Sequence, residues 1–318
     1  MDLARAIVLQ CAQAMLVVAL APLATGVARK TKARLQLRRG ASIFQPYRDV
    51  ARLLRKESVL AHDASWLFRA APYLIFSFTL VAAALVPTFT LALPLASSAD
   101  FIAVAGLLAS ARFLLTLAGL DIGTSFGGIG ASREVMIAAV AEPALLVLIF
   151  SLALVAGSTQ LPAIAAFVQS PAVGVRISLP LAFVGLVIVA VAENGRIPVD
   201  NPATHLELTM VHEAMVLEYS GRHLALIELS AALKLLVYIS LIAALFLPWG
   251  GPTYAAGDGH LLLALASYLG KVIAAALLLG CFEMSVAKMR VFRVPQFVGA
   301  ALMLALLAAL LRLVSRSF

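Results

Sequence analysis

Carboxylates concentrated in one polar segment are the residues of this sequence best suited to chemistry. Residues 193–228, named here the acidic segment, carry six of the 16 acidic side chains: Glu193, Asp200, Glu207, Glu213, Glu218 and Glu228. Long apolar segments flank it on both sides. A carboxyl group in an apolar environment has a raised pKa, so it can exchange a proton near neutral pH. The pattern therefore indicates a route for protons or cations, against the alternative of a solvated charged loop.

Charged residues also occur inside the apolar segments: Arg112, Glu142, Glu228, Lys234 and Lys271. Each would cost about 2.5–3.5 kcal/mol at the lipid-facing centre of a bilayer, so they should face protein or water. Either the acids and bases pair to pack the helices, or the groups form a path for protons or cations. Ionisable groups inside a membrane favour the path. Glu142 is the strongest candidate, because the neighbouring Pro143 leaves a backbone carbonyl free for water.

The composition is that of an integral membrane protein. The chain has 318 residues, a mean hydropathy of +1.02 and 13% charged residues, whereas soluble domains have about 25% charged residues. The net charge of +8 comes largely from basic loops, which the topology rule of membrane proteins explains without a nucleic-acid partner. We therefore expect an all-α polytopic membrane protein embedded in the lipid bilayer, with residues 1–318 forming a single membrane domain.

Eight apolar segments predict eight transmembrane helices. Their approximate limits are 5–28, 72–95, 101–120, 134–156, 177–193, 223–248, 261–283 and 294–314. One alternating set of loops carries the excess of Lys and Arg and is predicted to be cytoplasmic; it comprises 29–71, 121–133, 194–222 and 284–293. The opposite set, predicted to consist of simple connections, comprises 96–100, 157–176 and 249–260.

The first cytoplasmic loop is predicted to contain an amphipathic helix that begins at Pro46. Apolar residues recur there at helical spacing, while Arg48, Arg52 and Arg55 share the opposite face. Such a helix either lies on anionic lipid or forms a docking surface for a peripheral subunit. Both interpretations remain open at this point.

Within the acidic segment, Pro198 and Pro202 interrupt any helix that leaves the membrane at Glu193. From Ala203 onward apolar residues recur every three to four positions, which predicts a short amphipathic helix that ends near Gly221. A carboxylate-lined funnel at the inner membrane surface follows from this arrangement.

Sequence signals for a metal or nucleotide site are weak. Cys11 and Cys281 both lie inside apolar segments, without a CxxC pair, and are predicted to be buried apolar residues. The glycine-rich stretch 127–132 does not follow a strand, so it predicts a re-entrant or flexible loop rather than a dinucleotide turn. We therefore expect no metal and no redox centre in this chain.

Two loop motifs carry a family resemblance. They are RRGASIFQPYRDVARLLRKE at 38–57 and AENGRIPVDNPATHLELTMVHEAMVLEYSG at 192–221. Together they resemble the membrane subunit 1 family of respiratory complex I. The resemblance is closer to the membrane subunit of group 4 [NiFe] hydrogenases, of the hydrogenase-4 component C and formate hydrogenlyase subunit 4 kind. It runs from end to end, with further similarity at 120–146 and 224–238.

The resemblance implies an eight-helix subunit of a bacterial cytoplasmic (inner) membrane, at the junction between a soluble electron-transfer arm and an ion-pumping membrane arm. The [NiFe] and [4Fe-4S] centres would belong to partner subunits, and antiporter-like membrane subunits would lie beside it. Carried over by motif position, the proton-route candidates are Glu142, Glu193, Asp200, Glu207, Glu213 and Glu218; Glu228, Lys234 and Arg112 join them as charges within the membrane. The candidates for docking the soluble arm are Arg38, Arg39, Arg48, Asp49, Arg52 and Lys56.

Two departures from the complex I pattern favour the hydrogenase branch. Arg39-Gly40-Ala41-Ser42 lacks the Pro-Asn of the Arg-x-Gly-Pro-Asn turn, and residues 198–200 read Pro-Val-Asp instead of Pro-Phe-Asp. Both departures argue against quinone binding. We expect a non-catalytic anchor and proton- or ion-coupling subunit of a group 4 hydrogenase-type complex. The alternatives are subunit 1 of complex I itself, which shapes part of a quinone site and a proton channel, and a stand-alone secondary transporter.

Overall fold

The computed structural model describes residues 3–61, 63–170, 177–200, 210–252, 254 and 258–317. These residues form helices and connections, with isolated bridges such as Asp100 to Gln160 but no strand. The α-helices are α1 (Leu3–Leu35), α2 (Gln45–Arg55), α3 (Trp66–Leu85), α4 (Phe101–Asp121), α5 (Ser125–Ala156), α6 (Leu161–Gln169), α7 (Ser178–Glu193), α8 (His212–Val216), α9 (Gly221–Phe246), α10 (Asp258–Ser285) and α11 (Val294–Ser317). Short 3-10 helices cover Pro94–Ser98 and Val291–Arg293. The predicted all-α fold is confirmed.

In the part of the chain that the structure describes, seven helices are long and apolar enough to cross a bilayer, namely α1, α3, α4, α5, α9, α10 and α11. The eighth predicted span is α7, which has only 16 residues. At 1.5 Å per residue it is about 24 Å long, less than the roughly 30 Å of a hydrocarbon core. Its last residue, Glu193, is 6% exposed and therefore ends inside the helix bundle. The chain is a multi-pass membrane protein.

The centre of the bundle is α9, the most buried of the seven long helices. It packs against α1, α2 and α3, and makes smaller contacts with α7 and α10. Helices α5, α7 and α11 pack together beside it, and α4 joins α3 to α5. By contrast, α1, α10 and α11 expose wide apolar faces, as expected for helices that meet lipid or neighbouring subunits.

The bounds predicted for the first two spans, and the prediction for one connection, are wrong. Residues 29–35 belong to α1, which ends where Leu37 adopts a left-handed conformation (φ 58°) and the Arg38 amide donates to the Ala33 carbonyl at 2.9 Å. Good helix formers continue this helix beyond its apolar part. Helix α3 occupies Trp66–Leu85 instead of 72–95, since the Ser65 side chain caps its start and Pro87 follows its end. The connection at 157–176 is not simple, because it contains α6, which buries Leu161 and Ile164.

The glycine-rich stretch 127–132 is helical, contrary to the predicted loop, and forms the first turns of α5. Its glycines permit close packing instead of flexibility. A Cβ atom at Gly127 would lie 2.2 Å from the Gly119 carbonyl oxygen, and one at Gly130 would lie 2.8 Å from the Val211 carbonyl oxygen. Small residues let helix backbones approach closely, which is their usual role between membrane helices.

The helix predicted from Ala203 to Gly221 is mostly wrong in the part that the structure describes. Only His212–Val216 is helical there, and the Ala203 side of the prediction, with Glu207, lies outside the described residues. The amphipathic helix predicted after Pro46 is present as α2, with Pro46 in its first turn. Its arginines are exposed, whereas the Tyr47 hydroxyl donates to the Ala19 carbonyl of α1.

Several connections meet at one end of the bundle, here named the loop end. The Ser220 hydroxyl hydrogen-bonds the backbone of Val59 at 2.8 Å. A Cβ atom at Gly221 (φ 55°) would lie 2.5 Å from the Glu57 carbonyl oxygen, so only glycine fits this crossing. These contacts tie the connection that follows α2 to the start of α9, and thus hold the acidic segment beside the basic loop.

Candidate functional site

Arg112 is the centre of a buried group of charges. It lies in the middle of α4, and its side chain is only 4% exposed. Its Nη2 atom contacts Glu193 Oε1, its Nε atom lies 3.5 Å from Glu134 Oε1, and its Nη1 atom lies 3.7 Å from Glu142 Oε1. One guanidinium therefore faces three carboxylates.

Lys234 of α9 completes this group. Its Nζ atom lies 3.0 Å from Glu193 Oε2, on the opposite oxygen from the one that Arg112 contacts. Helices α4, α5, α7 and α9 thus each contribute charge to one place. We name this set the ion cluster; its members are Arg112, Glu134, Glu142, Glu193 and Lys234.

The position of Glu193 depends on how α7 ends. The Asn194 side-chain amide donates to the Ala190 carbonyl at 2.7 Å, Gly195 turns into the left-handed region (φ 54°), and the Arg196 amide donates to Val191 at 3.0 Å. This pattern closes a helix C-terminus and reverses the chain. Helix α7 therefore ends at Glu193, and the carboxylate stays inside the bundle.

The ion cluster is not electrically balanced. Three carboxylates face two cations, so the formal charge with all groups ionised is −1. Among the described residues, Arg112 Nε, Arg112 Nη1 and Glu193 Oε2 have no hydrogen bond of good geometry, although each lies near an opposite charge. Buried polar atoms of this kind are sites for water. The arrangement is suited to holding one exchangeable proton or monovalent cation.

Within the ion cluster, the side-chain exposure is lowest at Glu193 and Arg112 and highest at Glu142. The side chains of Glu193 and Arg112 are 2% and 4% exposed, whereas Glu142 is 43% exposed. Glu142 lies in α5 beside Pro143 and Leu146, which face outward. A carboxylate on the outer surface of a membrane helix is costly in lipid. Glu142 is therefore the point at which the ion cluster reaches the surface of this chain.

A second group of charges lies at the loop end. Glu283 of α10 pairs with Arg196 Nη1 at 3.3 Å through one oxygen and with Lys32 Nζ at 3.4 Å through the other. Nearby, Lys288 Nζ lies 2.8 Å from Asp200 Oδ1. We name these residues the rim network: Lys32, Arg196, Asp200, Glu283 and Lys288. It links α1, the first part of the acidic segment and the connection that follows α10.

The predicted path residues divide into groups. The structure brings Arg112, Glu142, Glu193 and Lys234 into the ion cluster, and places Asp200 in the rim network. Glu213 is half-buried in α8, whereas Glu218 and Glu228 are exposed, and Glu207 lies outside the described residues. Their role in conduction stays a prediction. Lys271 Nζ donates to the Leu247 carbonyl at 2.7 Å. This carbonyl lies at the C-terminus of α9, where the helix dipole stabilises a positive charge.

The predicted docking residues lie on the surface of the loop end. Arg38, Arg39, Arg48, Arg52 and Lys56 are exposed. Asp49 is half-buried and pairs with Arg52 at 3.1 Å. Two large apolar side chains accompany them, with Leu37 97% and Phe44 59% exposed. A surface of this composition fits a protein partner as well as a lipid surface, so the docking role stays a prediction.

Sequence reasoning missed Glu134 and, apart from Asp200, the members of the rim network. Glu134 precedes Glu142 by eight residues, about two helical turns, so their shared face was a detectable signal. The cysteine prediction is wrong, because Cys11 and Cys281 are both exposed on the apolar faces of α1 and α10. In the described part of the chain, no group of three or more His, Cys, Asp or Glu residues is placed to hold a metal ion.

Comparison with known proteins decides the family. The sequence profile of the NADH dehydrogenase family matches residues 7–314, nearly the whole chain. The chain belongs to this family. Among the relatives of this chain, formate hydrogenlyase subunit 4 of Escherichia coli (strain K12) is 36% identical over 297 residues, which cover 93% of this chain and 95% of that protein. The resemblance inferred from the loop motifs is confirmed.

Further relatives are similar to most of this chain. Hydrogenase-4 component C of the same organism is 38% identical over 248 residues, covering 77% of this chain and 76% of that protein. A subunit of the NADH-quinone oxidoreductase of Thermomicrobium roseum is 30% identical over 261 residues, 74% of this chain and 75% of that protein. The fold is also that of a chain in an archaeal respiratory membrane complex, the membrane-bound sulfane sulfur reductase. The TM-score is 0.79 at 21% identity, covering 95% of this chain and 99% of that chain.

Proposed function

We propose that this chain is the membrane anchor and proton- or ion-coupling subunit of a group 4 [NiFe]-hydrogenase-type complex of the formate hydrogenlyase or hydrogenase-4 kind. The observation that carries the proposal is the ion cluster, in which three carboxylates and two cations of the described residues meet between the buried centre of the bundle and the surface at Glu142, with one excess negative charge. A cluster built only for packing would be balanced, because excess buried charge costs free energy. A cluster that loads and releases a proton needs this excess.

In this proposal protons enter from the loop end, which faces the cytoplasm of a bacterial inner membrane. The exposed acids Glu218 and Glu228 and the half-buried Glu213 line the approach. Glu142 then transfers the proton within the membrane to an antiporter-like subunit that covers this part of α5. Its 43% exposure supports this route, since a partner must replace lipid at that carboxylate.

The loop end docks the soluble arm. The exposed basic residues there would meet hydrogenase large-subunit-like and iron–sulfur proteins, which hold the [NiFe] and [4Fe-4S] centres. Exchanging Arg48 and Arg52 for Glu reverses the charge of the exposed face of α2. We expect the soluble arm to be lost from the affinity-purified complex, whereas the matched Lys variants retain it. Retention by the Glu variants would favour a purely lipid-facing α2.

The proposal is tested by replacing Glu193 with Gln in the whole complex. The purified complex is reconstituted in vesicles that contain the pH dye pyranine. Reduced methyl viologen supplies electrons, and hydrogen formation is measured together with proton movement. We expect proton movement per hydrogen formed to fall at least roughly tenfold, as for loss of a group that transfers protons. Glu57→Gln, the same change at an exposed carboxylate, is the control and retains the wild-type ratio.

Two outcomes would contradict the proposal. Purification of the native complex without [NiFe] or iron–sulfur proteins would remove the hydrogenase assignment. An unchanged ratio in Glu193→Gln would remove the ion cluster from coupling. The NADH-quinone oxidoreductase relatives support one alternative, a quinone site. A photoreactive quinone analogue that labels residues 38–57 or 210–221 would favour this alternative.

A further inference from the structure

The connection between α10 and α11, residues 286–293, presents an aromatic ring between two arginines. Phe292 is 88% exposed, and Arg290 and Arg293 on either side of it are exposed as well. Among the large apolar residues that the structure describes, only Leu37 has a higher exposed fraction. Single exposed apolar residues are common on proteins, so exposure alone does not define what Phe292 contacts. Its depth in the membrane and its charged neighbours do.

The length of α11 places this connection at the membrane surface. Between Arg293 and Arg312 the chain has no charged residue, and this uncharged stretch covers residues 294–311. At 1.5 Å per residue it is about 27 Å long, close to the roughly 30 Å of a hydrocarbon core. Helices α10 and α11 on either side of the connection both expose apolar faces. Phe292 and Arg293 therefore lie where the hydrocarbon meets the lipid headgroups.

Contacts on both sides of Phe292 turn it away from the bundle. On one side, the Met289 amide donates to the Pro198 carbonyl at 2.9 Å, and the neighbouring Lys288 belongs to the rim network. On the other side, Val294 is 1% exposed and packs in the apolar core. Because both ends of this short turn are held by the bundle, the ring between them projects outward.

The charge of the connection favours an anionic partner. Neither Arg290 nor Arg293 takes part in an ion pair among the described residues. The carboxylates of the rim network already face cations. A guanidinium group matches the geometry of phosphate, and basic residues next to a membrane helix attract anionic lipids. An anionic phospholipid fits both the charge and the depth of this connection, whereas a soluble protein partner fits only the charge.

We propose that residues 290–293 bind anionic phospholipids of the leaflet at the loop end. The Phe292 ring enters the upper part of the acyl chains, while Arg290 and Arg293 bind lipid phosphate groups. Lys288 of the same connection pairs with Asp200, so the lipid contact also fixes the rim network relative to the bilayer. This proposal does not depend on which complex the chain belongs to.

The test uses Phe292→Trp in the full chain, reconstituted in phosphatidylcholine vesicles. Bromine atoms on lipid acyl chains quench tryptophan fluorescence at close contact. Brominated phosphatidylglycerol and brominated phosphatidylcholine are compared at equal mole fractions, after subtraction of the signal that Trp66 and Trp249 give in the unchanged chain. We expect quenching by both lipids, with a relative association constant at least roughly fivefold in favour of phosphatidylglycerol. This is the factor that one basic residue near an anionic surface supplies.

Replacing both Arg290 and Arg293 by Gln in the Phe292→Trp chain should reduce this preference to about one, because the phosphate ligands are lost. The matched control replaces Arg55 and Arg222 by Gln. These two arginines are also exposed at the loop end but lie in other parts of the chain. The control should retain the preference for phosphatidylglycerol.

Three other results would overturn the proposal. Absence of quenching by either lipid would place the Phe292 ring outside the bilayer. Equal quenching by the two lipids would show that the arginines do not select anionic headgroups. If the complex with Arg290→Gln and Arg293→Gln loses its soluble arm while the lipid preference is unchanged, the connection binds a protein partner instead.

Discussion

The ion cluster and the rim network are two groups of charges in one chain, and they are built differently. In the rim network, both oxygens of Glu283 face a cation, at 3.3 and 3.4 Å, and Asp200 lies 2.8 Å from Lys288. In the ion cluster, three carboxylates share two cations, and polar atoms of Arg112 and Glu193 lack hydrogen bonds in the described part of the chain. Completed pairs hold elements together, whereas an incomplete group can change its charge.

The central cations of the two groups also differ in burial. Side chains of the rim network keep some contact with solvent, with Arg196 13% and Lys32 21% exposed, whereas Arg112 is 4% exposed. Burial lowers the pKa of the Arg196 guanidinium, and the Glu283 carboxylate raises it again. Because arginine has so high a pKa, Arg196 stays charged. Charges at the buried centre of the ion cluster, on Arg112 and Glu193, interact strongly, so a single proton there changes the free energy of the whole group.

The largest effect on stability is expected for replacing Arg112, which tests the difference between the ion cluster and the rim network most directly. Arg112→Met leaves three carboxylates with one cation, and an uncompensated buried charge costs about 3–5 kcal/mol. We expect a large loss in yield and melting temperature of the solubilised complex. Adding Glu193→Gln should recover part of the loss by removing one carboxylate. If Arg112→Met melts like the wild type, the carboxylates are neutral in the resting protein and the ion cluster carries no excess charge.

Glu283→Gln examines the rim network in the same way. Arg196 and Lys32 then lose their shared carboxylate but keep partial access to solvent, so we expect a loss of about 1–3 kcal/mol, below the cost of a fully buried pair. Proton movement per hydrogen formed should not change. A changed ratio would join the rim network and the ion cluster into one path, and the distinction between them would be lost.

Much of the fold follows from the sequence, because lipid requires long apolar helices whatever their packing. In the described part of the chain, the seven long apolar helices and the shorter α7 could all be predicted, but their ends could not. Residues 29–35 are charged enough to resemble a loop, yet they continue α1. The glycines at 127–132 resemble a flexible turn, yet they pack α5 against the ends of α4 and α8. Only tertiary contacts distinguish a glycine needed for close packing from one needed for a turn.

The candidate site was predictable in part. Charge inside apolar segments identifies Arg112, Glu142 and Lys234, since such residues are costly without a partner. Glu193 is also a candidate from its place in the acidic segment, but its pairing with Arg112 and Lys234 could not be inferred, because it depends on where the short α7 ends within the bundle.

The smallest effect is expected at the surface, for the pair of Arg52 and Asp49 in α2. Their side chains are 62% and 40% exposed at a separation of 3.1 Å. Exposed pairs of this kind contribute about 0.2–1 kcal/mol. Arg52→Ala should therefore leave the melting temperature of the isolated chain in detergent nearly unchanged, while weakening retention of the soluble arm at raised salt.

The charges of α2 would then differ from both buried groups, because they would act on a partner and contribute little to the fold. A melting temperature as low as that of Glu283→Gln, with retention unaffected, would instead place this pair with the rim network as a structural contact.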